Sequence, residues 1–354
     1  MPSLQVIRAA VAELPQGSSI VAAVAGGTTG IGSYLAKALA TTFASHGSKL
    51  RVYIVGRNAG RAKTVISECQ KISPGSDWRF IHATDLALIS EVDKSSAEII
   101  KQETEAPFHG ELARLDLLYM THAIPILGHK RTTEEGLDAL ESTIYYSRIR
   151  FILQLLPLLT ASPRVAHVIS VYAGGMENGV KPDEEPIGFV PAEIYHFNTV
   201  RKYTTFMKTF VFEELAEKYA ERLSLIHIYP GLVDGPGFTQ MPRWFRVLFT
   251  LMKPLTSLYM TRSEDCGMVM AYLATSRFSA KGSGQDAPTS TDTLAPKSSL
   301  GVVGGGAYSL GQRADSQTPQ IMFEKSRKPD TSKKAWDHTI RTLDDIAKKN
   351  ATIA

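Results

Sequence analysis

The sequence predicts an α/β fold: a single domain built on a doubly wound parallel sheet, with a helical lid and a C-terminal extension. Two observations predict it. Short apolar runs alternate with amphipathic stretches over the first two-thirds of the chain, the pattern of repeated βα units. The first apolar run ends in a glycine-rich turn that opens directly into a helix. With 354 residues, the chain is long enough to bury a large core.

In order, "SSIVAAVAG" (18–26) reads as a buried first strand. "SYLAKALATTFASHG" follows as a helix with Leu35, Leu39 and Phe43 on one face and Gly47 near its end. "KLRVYIVG" (49–56) is a second strand and "NAGRAKTVISECQKIS" a second helix. "WRFIHATDL" supplies a third strand and "LDLLYM" (115–120) a fourth. The stretch 136–159 is a long helix, 164–174 a strand, 199–221 a second long helix and 223–231 another strand. A helix is expected within 1–17, and the sheet domain over 18–278. The segment 237–262, rich in Trp, Phe, Met and Leu and broken by Pro242 and Pro254, is either helical core packing or an apolar lid over a pocket. Residues 279–300 are rich in Ser, Thr, Gly, Pro and Asp and read as a flexible loop. A last strand and a terminal helix are expected within 301–354.

Composition narrows the functional classes. Charged residues make up 21% and the formal net charge is +4, with many lysines near the C-terminus rather than in a basic stripe interleaved with aromatics. A nucleic-acid partner is therefore not expected. The two cysteines, Cys69 and Cys266, lack metal-ligand spacing, so no metal site is expected, and they fit a reducing compartment. The N-terminal segment lacks the basic and apolar regions of a signal peptide. No apolar run reaches the ~20 residues of a membrane span. A cytoplasmic location is expected.

"VAAVAGGTTGIGSYLAKAL" is the most specific signal. Gly26, Gly30 and Gly32 permit a tight turn, and with Thr28, Thr29 and Ile31 they bring backbone amides to a pyrophosphate at a helix N-terminus. This is a Rossmann-type nucleotide loop with G-x-x-x-G-I-G spacing. It resembles the short-chain dehydrogenase/reductase family, whose loop is usually T-G-x-x-x-G-[IL]-G; Ala25 stands in place of the threonine. The resemblance continues over most of 18–235. Asp85 and Leu86 match the pair that covers the adenine, and Pro230, Gly231 and Val233 match the segment beside the nicotinamide.

Cofactor choice follows from charge. The second strand ends in "VGRN", placing Arg57 and Asn58 where an NAD enzyme would carry an acid against the ribose hydroxyls. An arginine pairs bidentately with a 2′-phosphate, and Arg61, Thr28 and Thr29 add donors. NADP(H) is expected over NAD(H), unless Arg57 is simply solvated.

The catalytic region departs from the family. The resemblance implies a tyrosine that moves the proton, a lysine four residues later, a serine that polarises the carbonyl and a supporting asparagine. A tyrosine of pKa near ~10 needs that neighbouring cation. In "YHFNTVRKY" Tyr195 is followed at that spacing by Thr199. A register set from the following helix puts Phe197 and Arg201 in the two slots instead. Ala173 falls at the serine and Ser170 at the asparagine of the family's strand-end pattern V-N-V-S-S. The candidates left are Tyr195 as acid, Arg201 or Lys202 as its cation, and Ser170 if the loop is shifted. His122, at a strand end, and Tyr172, near the nicotinamide position, are either functional or packing. The acidic loop residues Glu177, Asp183, Glu184 and Glu185 are either solvated or a partner for a cationic substrate.

The segment 115–159 and the terminal helix are similar to a divergent fungal branch of the family. The resemblance implies an NADP(H)-dependent oxidoreductase with a non-standard site that tailors a hydrophobic small molecule, by carbonyl, enone or imine reduction. The alternatives are a non-redox cyclase or isomerase on the same scaffold, and an inactive binding partner. The family further implies homodimers through the helices at about 136–159 and 198–219, unless the C-terminal extension blocks them.

Overall fold

A computed structural model describes residues 2–124, 130–174, 179–235, 260–283, 296–314 and 321–353. Seven strands form one parallel sheet in the order β3-β2-β1-β4-β5-β6-β7. They are β1 Ile20–Ala25, β2 Leu50–Gly56, β3 Asp77–His82, β4 Leu117–Met120, β5 Ala166–Val171, β6 Leu223–Ile228 and β7 Ala307–Leu310. All seven overlap stretches that read as strands in the sequence. β7 lies at the end of the glycine-rich 301–311 stretch and pairs parallel to β6, with Ile226 opposite Tyr308.

Helices cover both faces. α1 (Leu4–Ala12), α2 (Gly30–Thr42), α3 (Ala59–Ile72) and α7 (Ser263–Tyr272) flank one face, over a core that includes Val24, Leu35, Leu39, Phe43, Ile54, Ile226 and Met270. The other face carries α4 (Ile89–Glu105), α5 (Ser147–Thr160), α6 (Phe197–Lys218) and α8 (Thr331–Ile353), over a core with Val21, Tyr53, Leu118, Ile149, Phe206 and Phe210. Apart from the edge strand β3, which is only partly buried, the strands bury side chains on both faces, which is why they read as largely apolar runs. α5 is entered through a helical turn, Ala139–Glu141, and a π turn, Ser142–Tyr146.

α8 packs against α6 and α4. Its Thr339 meets Tyr145 Oη at 2.6 Å, and His338 Nε2 meets Tyr146 Oη at 2.8 Å. Lys218 of α6 stands 3.6 Å over the Trp336 ring. The extension therefore lies along the long helices through which pairing was expected. The lid segment 237–262 lies outside the described residues except at its C-terminal end, and the loop 279–300 is described only at its two ends. No described helix is long and apolar enough to cross a membrane.

Candidate functional site

The chain runs outward from β1 through β2 to β3, then returns to place β4 on the other side of β1. Loops leaving β1 and β4 diverge at that reversal, and a crevice opens above their carboxyl ends. A cavity of about 960 Å³ lies there, lined from Arg57 and Asp85 at one end to Tyr172, Phe197 and Arg201 at the other.

Backbone conformation shapes the first end. Gly26 has φ +87°, and a Cβ there would lie 2.5 Å from the His122 amide nitrogen. Gly30 has φ +57°, and a Cβ there would meet nothing within 4 Å, so its bare backbone faces open space. The N-cap residue Thr29 makes no side-chain capping bond, leaving the first turn of α2 to a ligand. Gly26, Thr28, Thr29, Gly30, Ile31, Arg57, Asn58, Asp85, Leu86, Pro230, Gly231 and Val233 all line the cavity, with Arg61 beside them. Gly32 does not. It packs so tightly that a Cβ would lie 2.4 Å from Gly26 O, which makes it a spacer between helix and loop. Asn58 caps α3 through its side chain, accepting from the Arg61 amide at 2.8 Å. Asp85 accepts from the Ala87 amide at 2.9 Å and pairs with Arg131 at 2.8 Å.

These residues fit a dinucleotide carrying an extra phosphate. An open backbone cradle meets a helix N-terminus, and two guanidinium groups, Arg57 and Arg61, stand just past β2, while Asp85, the carboxylate among the described lining residues, is paired with Arg131.

At the other end the helix register is resolved. His196 is the N-cap of α6, its Nδ1 accepting from the Thr199 amide at 3.1 Å, so Phe197 and Arg201 lie one helical turn apart and both line the cavity. Tyr195, Lys202 and Ser170 are not among the lining residues. Tyr195 precedes the helix and donates to Asp138 Oδ2 at 2.9 Å; burial, and then that bond, push its hydroxyl well above the ordinary tyrosine range. Lys202 projects from another side of α6 to Glu184, at 2.9 Å. Ser170 is fully buried on β5 and accepts from Arg148 Nη1 at 2.9 Å. The geometry thus corrects the expectation that these three would face a substrate. A two-residue shift in helix start decides which side chain points inward. Glu184 and Glu185 are engaged within the chain, Glu185 with Lys328, Lys334 and Thr331.

What stands at this end instead is aromatic and cationic. Tyr172 lines the cavity in a T-shaped contact with Phe197, ring centroids 6.5 Å apart. Its hydroxyl is enclosed without a hydrogen-bond partner among the described residues, and burial raises its pKa. Arg148 Cζ lies 6.0 Å and Lys208 Nζ 5.9 Å from the same ring centroid. Burial lowers the Arg148 guanidinium to about 9, and burial followed by the Arg148 charge takes Lys208 well below the usual lysine range. His122 lines the cavity with Nε2 3.0 Å from Ser147 Oγ; burial and Arg148 hold it neutral. His227 Nε2 accepts from the Ala173 amide at 3.1 Å, so it too is neutral. Sequence reasoning weighed Tyr172 and His122 but missed Arg148 and Lys208. Their signal is a cation set within an apolar helical run, "YYSRIRFIL" and "FMKTFVF".

Comparison with known proteins follows the same lines. No family model matches the chain. It is 30% identical to "Oxidoreductase AN1596" of Emericella nidulans over 97% of this chain and 98% of that protein. A short-chain dehydrogenase/reductase from Serratia marcescens superposes with a TM-score of 0.52, at 18% identity, over 84% of this chain and 98% of the other. L-sorbose reductase from Gluconobacter frateurii, solved in complex with NADPH and L-sorbose, gives a TM-score of 0.51 at 14% identity, over 73% of this chain and 90% of the other.

Proposed function

The chain belongs to the short-chain dehydrogenase/reductase family, in the branch of its fungal oxidoreductase relative, and from that premise we propose that it is an NADP(H)-dependent oxidoreductase of a small, largely apolar metabolite. One observation carries the reading. A single cavity joins a cradle suited to a 2′-phosphorylated dinucleotide to an aromatic pocket at the carboxyl ends of β4, β5 and β6. The relative's name as an oxidoreductase and the sorbose reductase's bound NADPH support the same assignment.

In this reading Gly26, Thr28, Thr29, Gly30 and Ile31 hold the pyrophosphate, and Arg57, helped by Asn58 and Arg61, holds the 2′-phosphate. Asp85 and Leu86 border the adenine, while Pro230, Gly231 and Val233 border the nicotinamide. Bound NADP(H) supplies or accepts the hydride. Phe197 and Tyr172 orient the substrate between their rings, and Arg201 contributes a fixed positive charge that steadies a developing oxyanion. Arg201 cannot pass on a proton, because a guanidinium stays protonated. We therefore assign no residue to the tyrosine–lysine proton relay. Tyr195 and Ser170 hold structure, and Lys202 ties α6 to the 179–188 loop. The buried free cysteines support a reducing, cytoplasmic setting.

The test is deuteride transfer from 4-deuterated NADPH, using small-molecule extracts of a producing culture as substrate source. The account expects a deuterated product. Saturable NADPH binding with no transfer to any component would favour the non-redox alternative.

A further inference from the structure

The substrate half of the cavity is backed by two basic side chains that no carboxylate among the described residues answers. Arg148, fully buried, reaches Ser170 Oγ and Val171 O through Nη1, each at 2.9 Å, His122 O through Nη2 at 2.7 Å and Thr143 O through Nε at 3.2 Å. Lys208, equally buried, donates to Ile144 O at 2.7 Å. His122, Thr143, Ile144 and Val171 all line the cavity, so both side chains lie one layer behind its wall and hold the wall's carbonyl oxygens towards themselves. Tyr172, which lines the cavity and whose enclosed hydroxyl has no partner among the described residues, lies against both of them.

Carboxylates on the adjoining turn are committed elsewhere. Asp138 accepts from Tyr195 and from the amides of Leu140 and Glu141, and Glu141 accepts from the Val190 amide. Asp85 is the one carboxylate among the described lining residues; it belongs to the other end and is paired with Arg131. Buried cations are ordinarily matched by an opposite charge. Arg148, held only by neutral acceptors among the described residues, leaves the pocket at positive potential in a medium where charge is weakly screened, while burial beside Arg148 holds the Lys208 amine towards its neutral form.

We infer that the substrate half of this cavity is built for an organic anion, a molecule with an apolar body whose carboxylate or enolate oxygen lies against Tyr172 and Arg201. Calling that anion a substrate rests on the oxidoreductase reading; its binding does not. The same field disfavours a cationic iminium, the substrate that would otherwise best dispense with a proton donor. An anion arriving beside Lys208 also raises that amine's proton affinity, so binding takes up a proton.

Isothermal titration of the full-length chain saturated with NADP⁺ tests this with 2-naphthoate and its neutral isostere 2-naphthamide, in buffers of different ionisation enthalpy. The expected result is naphthoate binding at least tenfold tighter, with proton uptake seen for naphthoate alone. Lys208→Met should abolish the uptake. Arg201→Gln, on the cavity wall, should cut the naphthoate preference at least threefold in a chain whose circular dichroism is unchanged. Equal affinity for the two probes, or a preference that neither substitution alters, would overturn the inference. Failure of the oxidoreductase reading registers separately, as an absent NADP⁺ isotherm, and the naphthoate titration is then run without nucleotide.

Discussion

Arg57→Ala is the perturbation whose effect follows most directly from the cavity's geometry. Arg57 leaves the end of β2 exposed, beside Asn58, and lines the cavity opposite the open backbone of Gly30. A hydrogen bond to a charged group contributes about 1.5–3 kcal/mol, and exposure to solvent and salt takes the lower half of that range. A loss of about 1.5 kcal/mol corresponds to roughly tenfold in affinity. NADH lacks the 2′-phosphate, so its affinity should move less than about twofold. The assay is fluorescence titration of both nucleotides against wild type and variant, at low and high salt. The NADPH deficit should shrink as salt rises, because part of the lost attraction is already screened. Equal losses for NADPH and NADH, or none for either, would refute the assignment of Arg57 to the 2′-phosphate.

Other outcomes follow from the same structure. Tyr195→Phe should cost about 1 kcal/mol of stability through the lost bond to Asp138 and leave the KM of any substrate within twofold, measured by denaturant melts and steady-state kinetics. Phe197→Tyr with Arg201→Lys places a tyrosine and a lysine four residues apart on the cavity side of α6, and should raise carbonyl reduction at least tenfold. Burial, then the neighbouring Asp138, raises the Glu141 carboxyl to about 7 from an ordinary 4.5. Its protonated form is the one the fold favours, so its contribution is full below about pH 4.5 and is lost as pH rises through 7, by up to about 3 kcal/mol. Melting temperatures across pH 5–8 should therefore fall for wild type and fall less for Glu141→Gln. Thr339→Val removes the partner of a buried Tyr145 hydroxyl and should cost about 1–3 kcal/mol. Sedimentation should show a monomer, since α8 covers the long helices.

The fold was legible because buried parallel strands read as apolar runs, and because the glycine loop fixes the first crossover. α4 was not read from the sequence: Glu, Lys and Ser residues interrupt its apolar positions, leaving Ile89, Val92 and Ile99 as its buried anchors. The candidate site was legible at one end only. Residues of the glycine loop act through backbone conformation, which the sequence carries directly in Gly26 and Gly30. At the other end, function depends on which side of α6 turns inward, and that is decided by where His196 caps the helix. "YHFNTVRKY" offers two registers, and no local rule prefers the one with Phe197 and Arg201 inside. Arg148 and Lys208 escaped notice for a related reason. Each is 22 or more residues from its partner on another element, counting Ser170 for Arg148 and Ile144 for Lys208, so no spacing in the sequence connects them.

The central claim is that this cavity holds NADP(H) at the switch point of the sheet. Titrating NADPH with the wild-type chain and following nicotinamide fluorescence tests it most directly. The account predicts a saturable enhancement that NADP⁺ displaces and that NADH reproduces only at roughly tenfold higher concentration. No enhancement at millimolar NADPH, with the chain folded, would contradict it.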